Sequence, residues 1–183
     1  MTHHPMLDVI SQALVAATTR RTGFTLATLA TVTPAGRPRV RSLILRQFAA
    51  DPERLFFATD ARSAKVAEMR ANPQVALAMY DDAQSVQLRA EGTAAIIEDE
   101  TERQRAWQTL APHSRTQYAD TAVPGTALSA AAVSDDDATA FKRFAWVGIE
   151  LAWFDWLDLA ADPPERWQLS RSDTTWTGQQ VVP

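Results

Sequence analysis

Arg62, Ser63 and Lys65 follow directly on the run Leu55-Phe56-Phe57-Ala58-Thr59, and Lys65 is one of only two lysines in the chain. The apolar run has the composition of a buried strand, and Ala64 to Asn72 reads as a short helix stopped by Pro73. Arginine and lysine at a strand end, a serine hydroxyl and the free N–H groups of a helix start are the donors from which a phosphate cradle is made. The segment Arg39 to Arg46, RVRSLILR, supplies more of them. Strand alternation puts Arg39 and Arg41 on one face, with Val40, Ser42 and Ile44 on the other and Arg46 on that second face. Anion holding is the chemistry these types and spacings suggest. The residues alone also allow a plainer arrangement, in which Ser63 caps the helix, Lys65 is solvated and the arginines pair with acidic neighbours.

The elements that must position these side chains follow from periodicity. Apolar residues at Leu7, Ile10, Leu14 and Val15 predict an N-terminal helix over 5–19. Phe24 to Val32 alternates as a strand, Pro34 to Pro38 is a turn, and Arg39 to Phe48 returns as the second arm of a hairpin. Further strands are expected at Leu55–Thr59, Val75–Tyr80 and Ser85–Glu98, the last two joined by a turn at Asp81-Asp82. A helical insert of about 99–144 follows, with helices over Asp99–Leu110, Pro112–Tyr118 and Asp136–Phe144 and a loop at Thr121–Ser134. C-terminal strands over 146–183 (Trp146–Leu159, Arg166–Arg171 and Thr175–Val182) complete the chain. Seven or eight strands in consecutive hairpins argue for a mainly β fold with peripheral α-helices, an antiparallel barrel in one domain over 1–183, and against a doubly wound parallel sheet.

Composition narrows the function. The chain has 183 residues with 46% hydrophobic and 22% charged content, enough for a real core. A formal net charge of -4 argues against a nucleic-acid partner, yet from Ser11 to Ala50 there is no Asp or Glu beside Arg20, Arg21, Arg37, Arg39, Arg41 and Arg46. Without cysteine there is no thiolate chemistry, and His3, His4 and His113 are too few for a metal site or a triad, so no metal and no catalytic side chain is expected. Six glycines form neither GxGxxG nor GxxxxGK[ST]. No membrane-spanning run and no leader pattern is visible, which makes the cytoplasm the expected location. If the protein is an enzyme, something other than its side chains carries the chemistry.

The runs R-S-L-I-L-R, F-F-A-T-D-A-R-S-A-K, N-P-Q-V-A-L-A-M-Y and V-Q-L-R-A-E-G resemble the pyridoxamine 5'-phosphate oxidase-like family of FMN-binding split barrels, in its oxidase-related flavin-binding subgroup. The likeness runs from about Phe24 to Ile97 and resumes from Glu150, with the separations among Thr59, Lys65, Gln87, Trp156, Arg166 and Trp176 in keeping; Thr101 to Phe144 matches poorly. The resemblance implies FMN as cofactor and a homodimer with FMN at the subunit interface. It places Arg41 and Lys65 on the flavin phosphate, with Arg62 and Ser63 beside them. Ser42, Leu43 and Ile44 would run along the flavin ring, Arg46 would stand where the oxidase has a lysine, and Ala58 and Thr59 would contact the flavin. Gln87, Trp156 and Arg166 would reach the flavin of the other subunit. Ala64 replaces an arginine of the pattern, a charge that Arg62 would supply instead.

The oxidase's own substrate grip is largely missing: its arginine and histidine fall on Asp162 and Pro164, and its middle tyrosine and serine on Ala111 and Ala119, with Arg115 the one echo. The resemblance therefore implies an FMN-dependent oxidoreductase of unknown small substrate, with NAD(P)H as a candidate donor. Arg46, Arg115 and Arg166 would lie on the substrate side, and turnover of pyridoxamine or pyridoxine phosphate would be inefficient. A non-catalytic flavin-binding module for storage or sensing is the alternative.

Overall fold

Alternation of side chains along the first hairpin sets the fold going. In β1 (Leu26–Val32), Ala27, Leu29 and Thr31 are buried while Leu26 and Thr28 face outward. The strand pairs antiparallel with β2 (Pro38–Ala50), from Leu26↔Ile44 to Val32↔Pro38, across a turn in which Gly36 takes φ 75°. The computed structural model describes residues 4–127 and 135–183. Along them follow β3 (Glu53–Asp60), β4 (Gln74–Asp81), β5 (Val86–Ile96), β6 (Phe144–Asp158), β7 (Glu165–Ser172) and β8 (Thr175–Val181). The strands are ordered β3-β2-β1-β4-β5-β6-β7-β8, every pairing is antiparallel, and a further pairing of β3 with β6 closes the first six into a barrel.

That closure depends on the 15-residue length of β6. Its first half, Phe144 to Glu150, pairs with β3, its span from Val147 to Asp158 pairs with β5, and its last residues, from Trp153, also hold β7. Strands β7 and β8 therefore extend the sheet beyond the closed barrel. Inside lie Leu29, Leu45, Phe57, Leu77, Leu88, Ile149 and Phe154, with the apolar face of α1 (Pro5–Thr19) packed against them through Leu7, Ile10 and Leu14.

Helix α2 (Ala64–Ala71) follows β3, and α3 (Glu100–Thr109), α4 (Pro112–Ala119) and α5 (Asp137–Arg143) build a second core between β5 and β6. Aromatic contacts dominate it: Trp107 meets Tyr118 edge-on at 5.5 Å and Phe144 at 5.3 Å, while Phe56 of β3 stacks on Trp146 at 5.5 Å. The arrangement is the antiparallel barrel with peripheral helices that the hairpin pattern predicts.

Two details differ from the sequence reading. Phe24 lies in a 3-10 turn, Gly23–Thr25, not in the strand. There the Thr22 and Thr25 hydroxyls satisfy each other's backbone N–H groups, and a Cβ on Gly23 would come within 2.4 Å of the Asp81 Cα. The second strand of that reading also starts and ends within a longer β2 that carries a bulge at Arg46, between Leu45 and Gln47. Of the expected loop at Thr121–Ser134, residues 121–127 hold neither helix nor strand, and 128–134 lie outside the described residues, as does His3.

A second bulge lies between Glu91 and Gly92 of β5, where Ala152 of β6 goes unpaired. Here a Cβ on Gly92 would sit 2.2 Å from the Glu150 carbonyl oxygen, a backbone atom that cannot move aside. Gly92→Ala should accordingly lower stability by about 1–3 kcal/mol. Urea unfolding measures this, and an unchanged midpoint would show that the barrel does not need this close approach.

Candidate functional site

The end of β3 and the start of α2 meet the middle of β2 at a cleft of about 170 Å³. Strand β2 contributes Ser42, Leu43, Ile44 and Arg46, and β3 contributes Ala58 and Thr59. Lys65 enters from the first turn of α2, and Gln117 and Tyr118 from α4. Leu43 and Leu45 turn their side chains into the barrel, so Ile44 is the apolar side chain that β2 offers outward.

The charges around this cleft are arranged in pairs. Arg41 donates to the Thr31 hydroxyl at 2.5 Å and to Glu68 at 2.6 Å, and the same hydroxyl donates to Glu68 at 2.5 Å. Burial works against the Glu68 charge, but the bonds from Thr31 and Arg41 hold its carboxyl below the ordinary carboxylate range. Arg62 grips Asp60 with two bonds, 3.0 and 2.6 Å, and donates to the carbonyls of Asp120 and Thr121 at 3.0 Å. Its guanidinium is therefore engaged and adds no free charge for the one that Ala64 lacks. Lys65 donates to the Thr59 hydroxyl at 2.9 Å. Burial pushes its ammonium below the usual lysine range, and the neighbouring Arg41 charge pushes the same way. With Arg62 matched to Asp60 and Arg41 to Glu68, the Lys65 charge remains without an ion-pair partner among the described residues.

Ser63 stands at the N-cap position of α2 but makes no side-chain bond to the helix. Its hydroxyl donates instead to the Asp60 carbonyl at 2.7 Å, within 3.5 Å of the Thr59 hydroxyl. The simple capping role is thus not what it performs. The first N–H groups of α2 have no side-chain cap; that of Val66 donates to the Ser63 carbonyl at 3.0 Å.

Further along the cleft, Arg46 has no hydrogen-bond or ion-pair partner among the described residues. It acts electrostatically on Tyr118, whose phenol is pushed up to about 12 chiefly by burial, with Arg46 pulling the other way.

The remaining sequence candidates lie elsewhere on this chain. Trp156 is buried in the barrel against Phe24, centroids 5.9 Å apart. Gln87 and Arg166 are both register partners of Leu157, so they share one row of the outer sheet face, remote from the cleft residues of the same chain. Arg166 donates to Asp155 from Nε and Nη2 at 2.9–3.1 Å, and Arg89 and Gln168 reach the same carboxylate at 2.6 and 3.0 Å. Arg115 does not line the cleft: it donates to the carbonyls of Leu110 and Gln108 and lies over the Trp107 ring at 5.5 Å, where it ties α4 to α3. The echo of the oxidase pattern at Arg115 is structural.

With the geometry in place, the relatives agree with it. Residues 15–156 match the family model of pyridoxamine 5'-phosphate oxidase. The chain belongs to the pyridoxamine 5'-phosphate oxidase family. Within that family, the pyridoxine/pyridoxamine 5'-phosphate oxidase of Microcystis aeruginosa is 41% identical over 73 residues, which are 40% of this chain and 33% of that protein. The enzyme of the same description from Rubrobacter xylanophilus is 42% identical over 72 residues, 39% of this chain and 32% of that one. The match therefore spans about a third of the length of these curated relatives. Among crystal structures, a pyridoxamine 5'-phosphate oxidase-related, FMN-binding protein of Nostoc punctiforme PCC 73102 superposes with a TM-score of 0.81 at 26% identity, covering 100% of this chain and 99% of that one. PhzG from Burkholderia lata 383 shares the fold, with a TM-score of 0.73 at 18% identity over 100% of this chain and 98% of that one.

Four side chains of this family member carry no signal in the sequence. Gln117 and Tyr118 come from the segment in which the sequence likeness is poor, and Glu68 and Asp155 are acidic residues whose basic partners lie on other elements. Asp155 lies on the outer face of β6 with Trp153 and Leu157, opposite Arg89 and Gln168, a cross-strand pairing that only the register discloses.

Asp155 is 0% exposed and holds three donors from β5 and β7. Burial opposes its charge, yet the bonds from Arg166, Gln168 and Arg89 keep its pKa below the ordinary value. A carboxyl depressed on folding contributes stability above its unfolded pKa of about 4, and that contribution fades as pH falls through the folded value. Asp155→Ala, which leaves two arginines unpaired, should cost about 3–5 kcal/mol at neutral pH. Its deficit relative to wild type should shrink on acidification below about pH 4; denaturant midpoints across pH measure both, and a deficit independent of pH would refute the electrostatic account.

Proposed function

We propose that the chain is an FMN-dependent oxidoreductase acting on a small substrate, as a homodimer with FMN at the subunit interface. The observation that carries the reading is the Lys65 ammonium, desolvated beside Arg41 without an ion-pair partner, at a helix start that no side chain caps. A dianion there would offset the burial, and the lesser Arg41 repulsion, that now depress the lysine. Arg41, Ser63 and Lys65 would hold the phosphate, with Arg62 keeping the turn rigid through Asp60. Ser42, Leu43 and Ile44 of β2 and Ala58 and Thr59 of β3 would border the ring, and Arg46 would stand at its far side. Bound FMN would supply the electron transfer that none of this chain's side chains can carry.

The size of the cleft favours a dimer. About 170 Å³ is less than the roughly 300–1,000 Å³ of a site that buries a cofactor, so one chain supplies part of the wall. Beside it the outer sheet face carries Leu26, Val40, Ile44 and Tyr80 at 55, 69, 45 and 46% exposure, and the row of Ile44, Leu26 and Tyr80 continues to Gln87 and Arg166. A second copy seated on that face would cover them and bring its own Gln87, Trp156 strand and Arg166 towards this cleft. The FMN-binding relative from Nostoc punctiforme, alike over the whole chain, supports the cofactor. The relatives with pyridoxine/pyridoxamine oxidase names are alike over only a third of their length, and Asp162 and Pro164 here occupy an exposed turn, so their substrate is not carried over.

Purified protein should be yellow and should be bleached by NADH or NADPH without oxygen. A protein that binds FMN but that no donor reduces would instead be a flavin carrier or sensor. Lys65→Ala and Arg41→Ala should each weaken FMN binding by about 1–3 kcal/mol in fluorescence titration, and wild-type affinity in both would refute the phosphate site. Pyridoxamine and pyridoxine phosphate should be poor substrates in an oxygen-consumption assay; fast turnover at micromolar concentration would overturn that exclusion.

A further inference from the structure

Two donors face the cleft with nothing to donate to. Arg46 is the extra residue of the β2 bulge, the one position on that strand excused from the regular register with β3. It lines the cleft and has no hydrogen-bond or ion-pair partner among the described residues. Tyr118 lines the same cleft from α4 with only 7% of its surface exposed, and its hydroxyl likewise has no hydrogen-bond partner among the described residues. Its ring is fixed by edge-on contacts with Trp107 and Phe144, both at 5.5 Å, so the hydroxyl direction is set by packing. A phenol so hard to ionise is a donor at any physiological pH. Both donors reach the solvent of the cleft from facing elements, β2 and α4, and two such donors are matched by a ligand that brings the acceptors.

Along β3 the Arg46 bulge is offset from the phosphate cradle. The Arg46 bulge lies opposite Phe56 and Phe57, whereas Lys65 is tied to Thr59, two residues on from Phe57 and about 7 Å along the strand. One guanidinium fork and one neutral hydroxyl offer a single positive charge with donors directed at two or three lone pairs. That suits a planar monoanion, a carboxylate, better than a phosphate dianion, which would keep an uncompensated charge in a partly buried wall. Gln117 beside them can serve a neighbouring polar group.

Resting on the flavin reading above, we propose that Arg46 and Tyr118 form the subsite for a substrate carboxylate, and that Tyr118 is a specificity-determining residue supplied by the helical insert. The probes are benzoate, its neutral analogue benzamide and the dianion phenyl phosphate, each titrated calorimetrically into FMN-loaded protein, with FMN affinity measured separately for every variant. Benzoate should bind at least about tenfold more tightly than benzamide or phenyl phosphate. Tyr118→Phe, which keeps the ring and its packing, and Arg46→Gln should each weaken benzoate about tenfold and leave benzamide unchanged. Wild type that takes up FMN but ignores benzoate, prefers phenyl phosphate, or binds benzoate equally well as Tyr118→Phe overturns this assignment alone. Wild type that takes up no FMN overturns the flavin reading and this subsite with it.

Discussion

Closure of the barrel by one overlong strand is the constraint on which the rest depends. Because β6 pairs with β3 along its first half and with β5 and β7 along its second, β3 cannot shift its register without opening the barrel. The last residues of β3 are thereby fixed, and with them the turn that delivers Lys65 and the open end of α2. The helices α3 to α5 rest on the same closure, since Phe56, Phe144 and Trp146, around which they pack, belong to the β3–β6 pair. Both walls of the cleft are therefore referred to a single ladder of backbone hydrogen bonds.

Electrostatics then decides what the cleft can hold. Around the cleft and on β6 the carboxylates are matched to arginines, Arg41 with Glu68, Arg62 with Asp60, and two arginines with Asp155. At the cleft itself Lys65 and Arg46 have no acidic partner among the described residues. Leaving cations unpaired in a partly desolvated wall is unfavourable in isolation, and such arrangements persist where a ligand completes them. Pairing Arg41 with Glu68 has a second effect: the guanidinium is held in one orientation before any anion arrives, so less side-chain freedom is lost on binding.

How much of this the chain discloses depends on the range of the contacts. Strand alternation and turn residues are local, and they predict the hairpins, the helix after Thr59 and the barrel class; the placement of Ser42, Ile44 and Arg46 on one face of β2 follows from the same rule. Misreadings arise where a partner is distant or overlooked. Arg62 looks available as long as Asp60, two residues before it, is left out of account as its ion-pair partner. Arg115 looked like a substrate contact because the carbonyls it satisfies, at Gln108 and Leu110, are exposed only once α3 has ended and turned. Tyr118 had no pattern to announce it, since its role comes from packing on Trp107 and Phe144 and from a strand more than sixty residues away in β2. Gln87, Trp156 and Arg166 are a different case, since they lie away from this chain's cleft and gain meaning only if a second subunit is present.

The bulge at residue 46 has an evolutionary corollary. In an ordinary strand, losing one residue inverts every side chain beyond it, which would expose the core and bury the surface. Here Leu45 already faces Phe57 and Gln47 already faces Phe56, so the intervening position could be lost, or its side chain exchanged, with each neighbouring pair left as it was. The protein thus carries an interchangeable socket at the rim of its pocket, through which ligand preference can drift over generations while the architecture beneath it stays under separate selection.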